Sequence, residues 1–162
     1  MKSVIMLATI HEYQVLGNPG NPELTTRVNY LKAKLGANVV LEEWSEKQGH
    51  SAAEEFAPTL GLRWVSVGTP YEPQFRTYSG KLNYPGYNGT LRWDPHAPPM
   101  DEYGPFENQE ARENRMAENV QAEMQDCEAG LFILGIAHMH SLFAKLLSRG
   151  FKVTGFSWLG PS

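Results

Sequence analysis

The sequence predicts an α/β protein with a single, mostly parallel sheet of about five strands and helices on both faces. Continuous apolar runs, typical of strands that are covered on both sides, alternate with segments whose apolar residues recur at helical spacing. Strands that alternate with helices form parallel sheets through right-handed crossovers. Ligands bind such sheets beyond the carboxyl ends of the strands, so the residues that follow each strand are the candidates for function.

The first half of the chain contains the clearest strand and helix boundaries. Residues 4–10 form an unbroken apolar run, which predicts the first strand. The helix that follows has Asn21 as its predicted N-cap, Pro22 in its first turn and Gly36 just past its end. A second strand is predicted over residues 37–43.

A capping box and a long loop come next. Ser51 and Glu54 have the spacing of a capping box, which predicts that a short helix begins there. A third strand is predicted over residues 62–68. Between residues 68 and 106 the chain is rich in proline, glycine and aromatic residues without periodicity. Long loops of this kind act as lids over a site or pack down as structural covers, and both interpretations are open here.

The last third of the chain predicts helix, strand, helix and strand. A helix from about Glu107 carries Met116, Val120 and Met124 at four-residue intervals. The elements after it are a strand over residues 130–138, a helix over 141–150 and a final strand over 151–159.

Composition limits the classes of function. The chain has 162 residues, 41% of them hydrophobic and 20% charged, which predicts one domain over residues 1–162 with the 68–106 loop inserted before the third helix. A net charge of −4 without a basic run argues against nucleic acid. The N-terminal apolar run fits neither a signal peptide nor a membrane span, and the single Cys127 cannot form an internal disulfide. We therefore expect a cytoplasmic protein that acts on a small-molecule substrate or ligand, with a homodimer left open.

Polar residues end several of the predicted strands. His11 closes the first apolar run, and His138 closes the fourth predicted strand. Glu42 and Glu43 close the second strand. Because the carboxyl ends of parallel strands lie at one edge, we expect these side chains to converge there.

The helix before the fourth strand adds an arginine and a further acid to this edge. It runs back antiparallel to the strands, so Arg112 and Glu113 in its first part begin at the same edge. Arg112 shares a side of the helix with Met116 and Val120, so its guanidinium is expected to reach over the strand ends. It can hold a substrate anion there or stabilise a developing oxyanion.

Two histidines and a carboxylate suit two kinds of hydrolytic site. His11, Glu42 and His138 are candidate ligands of a divalent metal that activates a water, with Glu43 or Glu113 as general base. Without a metal, His11 or His138 acts as the base while a glutamate orients its ring. Both arrangements remain open from the sequence.

Four segments together resemble a known superfamily. They are ATIH at 8–11, VVLEE at 39–43, EARENRMAENV at 110–120 and LGIAHMHSLFAKLLSRGFKV at 134–153. In order and spacing they are similar to the superfamily that joins the TraB/PrgY and TIKI proteins with ChaN-like and erythromycin-esterase-like proteins. That pattern has two G-x-x-H motifs, a glutamate after the second strand and an arginine-bearing helix before the second motif.

The match to this pattern differs between positions. Gly135 to His138 complete the second motif, whereas Ala8 stands where the first motif has glycine. The resemblance implies functional roles for His11, His138 and Arg112, and it favours Glu42 over its neighbour as the acid. It covers residues 1–45 and 107–159 and leaves the long loop unmatched.

The resemblance implies several activities, and two hypotheses follow. Members are associated with metal-dependent proteolysis, ester hydrolysis, and haem or iron binding. The first hypothesis is a small hydrolase of ester or amide-type bonds, using zinc, manganese or iron, or a histidine base. The alternative is a non-catalytic protein that binds a metal, haem or small ligand in the same pocket.

Overall fold

A computed structural model describes residues 1–44, 49–68, 82–83, 92–93 and 105–161. Its strands are β1 (Ser3–Thr9), β2 (Val39–Glu42), β3 (Arg63–Ser66), β4 (Leu82–Asn83), β5 (Arg92–Trp93), β6 (Ala129–Gly135) and β7 (Lys152–Ser157). Its α-helices are α1 (Asn21–Leu35), α2 (Ala52–Phe56), α3 (Pro105–Glu123) and α4 (Ile136–Ser148). Two 3-10 turns cover His11–Gln14 and Ala57–Leu60.

Five of these strands form one parallel sheet in the order β3-β2-β6-β1-β7. The predicted α/β fold is therefore confirmed. The two central strands, β1 and β6, are apolar and buried along nearly their whole length, as expected for strands covered on both faces. Their register pairs Thr9 with Gly135, so both strands end side by side.

Helices cover the two faces of the sheet, and alternate strand residues supply the two core layers. On one face Val4 and Met6 pack in a cluster with buried residues of α3 and α4. On the other face Ile5 and Leu7 pack in a cluster with buried residues of α1 and α2. Each strand residue therefore belongs to one helical layer, which decides the partners available to its side chain.

The predicted caps were right in two cases and wrong in one. Gly36 ends α1 in the left-handed conformation with a φ of +66°, and the Ser51 hydroxyl accepts the Glu54 N–H at 3.1 Å. The predicted N-cap was wrong, because α1 begins at Asn21 and Gly20 is the cap. The Asn21 side chain instead accepts the Gly17 N–H at 2.8 Å and stabilises the preceding turn.

The carboxyl edge of the sheet also differs from its predicted boundaries. β1 ends at Thr9, so His11 begins a 3-10 turn rather than closing the strand. β6 ends at Gly135, so His138 lies in the first turn of α4 instead of at a strand end. The Gly135 N–H donates to the Glu43 side chain at 2.8 Å, which supplies a side-chain partner at the point where the strand ends. Both histidines still follow neighbouring strands.

The predicted loop over residues 68–106 contains a two-residue antiparallel pair of β4 with β5, and α3 begins slightly before its predicted start. The interpretation of this loop as a lid or a cover otherwise lies outside the described residues. Among the residues that the structure describes, no helix is both long and apolar enough to cross a membrane.

Truncation of a buried leucine in α4 tests the packing of the α3 and α4 layer against the sheet. Leu142 is fully buried, whereas Leu147 on the same helix is 49% exposed. We expect Leu142→Ala to lower the free energy of unfolding by about 2–5 kcal/mol, because it leaves a cavity against the sheet. Leu147→Ala should change it by less than about 0.5 kcal/mol. Denaturant titration measures both, and equal losses would contradict the packing.

Candidate active site

The carboxylate of Glu43 is the point where the polar side chains of the edge meet. It directly follows β2 and is only 2% exposed. Its Oε1 accepts the Gly135 N–H at 2.8 Å and lies 3.5 Å from His11 Nε2. Its Oε2 lies 3.2 Å from His138 Nε2 and accepts from Arg112 Nη2 at 3.3 Å. One buried acid therefore joins the turn after β1, the start of α4 and the first part of α3.

The partners of this carboxylate decide its charge. Burial raises the pKa of Glu43, because a charged group loses hydration in the interior. Electrostatic interactions with His138, His11 and Arg112 and the hydrogen bond from Gly135 outweigh that effect and leave the pKa of Glu43 below its ordinary value. Glu43 is therefore the fixed negative charge of the site at neutral pH.

Each histidine also has a side-chain partner at its other ring nitrogen, Nδ1. His138 Nδ1 lies 3.0 Å from Glu113 Oε2, and both residues are buried. His11 Nδ1 lies 2.7 Å from Gln14 Oε1. Both rings consequently turn their Nε2 atoms towards Glu43. His138 lies between two carboxylates, whereas His11 lies between a carboxamide oxygen and a carboxylate.

Local structure explains how Arg112 and Glu113 reach this point. Arg112 comes one helical turn before Met116, which is buried against the sheet, so it extends the apolar side of α3 over the strand ends. Glu113 precedes the buried Ala117 by the same interval. The predicted reach of the guanidinium over the strand ends is confirmed by its contact with Glu43.

Glu42 has a different environment from its neighbour. Successive strand residues face opposite sides of a sheet, and Glu42 turns towards the α1 and α2 layer. There its carboxylate accepts hydrogen bonds from the Ser51 hydroxyl, from Trp64 Nε1 at 2.8 Å and from Gln14 Nε2 at 2.8 Å. The resemblance favours Glu42 as the acid beside the histidines, but the geometry gives that place to Glu43.

The environment of Glu42 also shifts its titration. Burial raises the pKa of Glu42 to about 7, and the hydrogen bonds from Ser51, Gln14 and Trp64 offset only part of that effect. The two neighbouring acids therefore differ in charge behaviour: Glu43 stays ionised, whereas Glu42 exchanges its proton near neutrality.

Gly135 is the residue that lets His11 and Glu43 approach β6. A Cβ at this position would lie 2.7 Å from His11 Nε2 and 3.2 Å from Glu43 Oε1. Any larger residue would push the imidazole away from the carboxylate. Steric space therefore explains why glycine stands at this position of the predicted G-x-x-H motif.

Most of the predicted site residues are in contact, and the structure adds others that the sequence did not indicate. The side chains brought together are those of His11, Glu43, Arg112, Glu113 and His138. The additional ones are Gln14, Ser51 in its contact with Glu42, and Trp64. Only the three-residue spacing of His11 and Gln14 within one 3-10 turn offered a signal for any of them.

The predicted metal ligands are not all at one point. His11 and His138 both face Glu43, but Glu42 lies on the other side of the sheet. Among the described residues, no three side chains of His, Cys, Asp or Glu are grouped to hold a metal ion. A divalent metal cofactor stays a prediction from the sequence.

Comparison with known proteins gives no family for this chain: no family model, curated protein or solved structure matches it. The resemblance to the TraB, TIKI, ChaN-like and erythromycin-esterase-like superfamily therefore stays a prediction based on four motifs.

Substitution of Gly135 tests the close approach of His11 and Glu43. We expect Gly135→Ala to displace the His11 ring, because the added methyl would overlap Nε2, and to cost about 1–3 kcal/mol of stability. Histidine NMR spectra and denaturant titration measure the two effects. Gly130→Ala is the matched control, since its Cβ would contact Met124 at the opposite end of the same strand. It should leave the His11 signals unchanged, and an unchanged ring in Gly135→Ala would contradict the steric argument.

The opposite pKa shifts of Glu42 and Glu43 predict opposite effects of pH on the free energy of unfolding. The folded pKa of Glu42 is about 7 against an ordinary value of 4.5, so its stabilising contribution is complete below pH 4.5 and is lost as the pH rises to 7. The lowered pKa of Glu43 gives a contribution that is present above pH 4.5 and is lost in acid.

Glu42→Gln isolates the first of these effects, because the amide keeps the shape without the titration. Between pH 4.5 and 7, we expect wild type to lose up to roughly 3 kcal/mol of unfolding free energy relative to the variant. Denaturant titrations at the two ends of this range measure the difference. Parallel pH profiles for the two proteins would show that Glu42 does not titrate there.

Proposed function

We propose that this protein is a small hydrolase that cleaves an ester or amide-type bond at the carboxyl edge of its sheet. The network around Glu43 carries the proposal. Burying several charged groups contributes little net stability, since desolvation offsets most of their attraction. Titratable groups with shifted pKa values, gathered where parallel sheets bind ligands, are instead typical of catalytic sites.

The surroundings of His138 suit a proton donor. Glu113 lies 3.0 Å from its Nδ1 and Glu43 lies 3.2 Å from its Nε2. A carboxylate can only accept, so each ring nitrogen of His138 faces a group that accepts a hydrogen bond from an N–H. In the proposed reaction the His138 ring gives a proton to the leaving oxygen or nitrogen as the acyl bond breaks.

His11 suits the complementary role of general base. The Gln14 oxygen at 2.7 Å accepts from Nδ1, which leaves the lone pair on Nε2. His11 is also 7% exposed, whereas His138 is fully buried. In the proposed reaction Nε2 takes a proton from the water that attacks the acyl carbon, and Glu43 stabilises the resulting charge on the ring.

Arg112 completes the proposed site on the substrate side. Its guanidinium reaches Glu43 from α3, at the carboxylate that both histidines face. A guanidinium carries several donors in a fixed plane, so it can stabilise the negative oxygen that develops on the acyl carbon. The limited exposure of the whole network favours a small reacting group.

Hydrolysis of short-chain p-nitrophenyl esters and of a small anilide panel tests this function. We expect wild type to turn over at least one class and His11→Ala and His138→Gln each to lower kcat/KM by about 10²–10⁴-fold, because each removes a proton-transfer group. His140→Ala is the matched control, since this exposed histidine lies on the same helix as His138.

Equal activity in all four proteins would remove the two histidines from the reaction. Absence of turnover, together with saturable binding of a panel ligand that depends on His11, would favour the non-catalytic binding alternative.

Metal content separates the histidine-base reaction from a metal-assisted one. The direct contacts of both rings with Glu43 favour the histidine base, so we expect elemental mass spectrometry to find no stoichiometric zinc, manganese or iron in wild type after reloading and dialysis. Near-stoichiometric metal that disappears in both His11→Ala and His138→Ala would overturn this version of the mechanism.

A further inference from the structure

We infer that Gln14 is a positioning residue that fixes the His11 ring with its proton on Nδ1, through a hydrogen-bonded chain from the opposite face of the sheet. The inference rests on the proposed function in that His11 is the general base. Gln14 acts only through His11 and Glu42 and touches no reacting atom in this scheme. It is fully buried at the end of the 3-10 turn that follows β1.

The orientation of the Gln14 carboxamide follows from its partners. One end of the group accepts hydrogen bonds and the other end only donates. Its Nε2 lies 2.8 Å from Glu42 Oε2 and 3.3 Å from the backbone carbonyl oxygen of Glu43. A backbone carbonyl can only accept, so the amide nitrogen must face this side. The amide oxygen therefore faces His11.

That orientation selects the His11 tautomer. Gln14 Oε1 lies 2.7 Å from His11 Nδ1, and an oxygen without a proton requires a donor at that nitrogen. The neutral ring then has its lone pair on Nε2. The competing tautomer would place the proton on Nε2, where the Glu43 carboxylate lies 3.5 Å away and attracts it. Gln14 opposes that attraction and keeps the basic nitrogen available.

The far end of the chain is fixed on the α1 and α2 side. The other oxygen of Glu42 accepts from the Ser51 hydroxyl and from Trp64 Nε1 at 2.8 Å. Ser51 is itself held as the N-cap of α2 by the Glu54 N–H. Two donors therefore hold the first oxygen of Glu42, while its second oxygen accepts from Gln14. This gives Glu42, which does not contact either histidine ring, a supporting role in the site.

The His11 tautomer can be read directly by NMR of protein labelled with ¹⁵N at its histidines, in mildly alkaline buffer. The resonances are assigned with His11→Ala. We expect wild type to show the proton on Nδ1. A proton on Nε2 in wild type would overturn the inference without reference to any variant of Gln14.

Gln14→Met removes the amide while keeping the length of the side chain. We expect the His11 proton to move to Nε2, because its partner at Nδ1 is lost. We expect kcat to fall by at least about tenfold with little change in KM, because Gln14 supports His11 and does not contact the substrate. Gln14→Glu keeps an oxygen that accepts from Nδ1 and should restore the wild-type tautomer at least in part. A folded Gln14→Met protein with an unchanged tautomer would contradict the inference.

The positioning role of Gln14 and the proposed hydrolase function can be refuted independently of each other. A proton on Nδ1 that moves in Gln14→Met, in a protein without hydrolytic activity, would support the positioning role and refute the proposed function. Hydrolysis by a wild-type protein whose neutral His11 carries its proton on Nε2 would support the proposed function and refute the positioning role of Gln14.

Discussion

Glu43 is an ionised carboxylate buried at the carboxyl edge of the sheet, and its charge has to be compensated within the fold. The charge of Arg112 on α3 compensates it directly, and two further elements, the turn with His11 and the start of α4 with His138, each place a ring nitrogen beside it. Removal of Arg112 would leave a buried charge under-compensated, which is far costlier than the net gain from the intact network. The rest of the site is arranged around this constraint.

The same constraint separates two histidines of identical chemistry. His138 lies between Glu43 and Glu113, so each of its ring nitrogens faces a carboxylate. His11 has an amide oxygen in place of the second carboxylate and keeps one nitrogen basic. The difference comes from the supporting partner, and the partner of His11 is anchored on the opposite side of the sheet. The two helical layers thus contribute to one proposed reaction.

Sequence reasoning succeeded where local periodicity carried the information. The apolar runs of β1 and β6 and the spacing of Met116 and Val120 on α3 predicted the sheet, the helices and the reach of Arg112. It failed by a few residues at the strand ends. There Glu42 and Glu43 exchange roles, since a shift of one position along a strand moves a side chain to the other face.

The sequence by itself determined the alternation of strands and helices and the edge at which His11, Glu43 and His138 gather, because both follow from residues close together in the chain. Only the tertiary structure decided which acid faces the histidines and which group supports each ring. Gln14 and Glu42 are 28 positions apart, and Glu43 and Gly135 are 92 apart. Hydrogen bonds over such separations depend on strand order and on the face to which each side chain turns, and no local pattern encodes these.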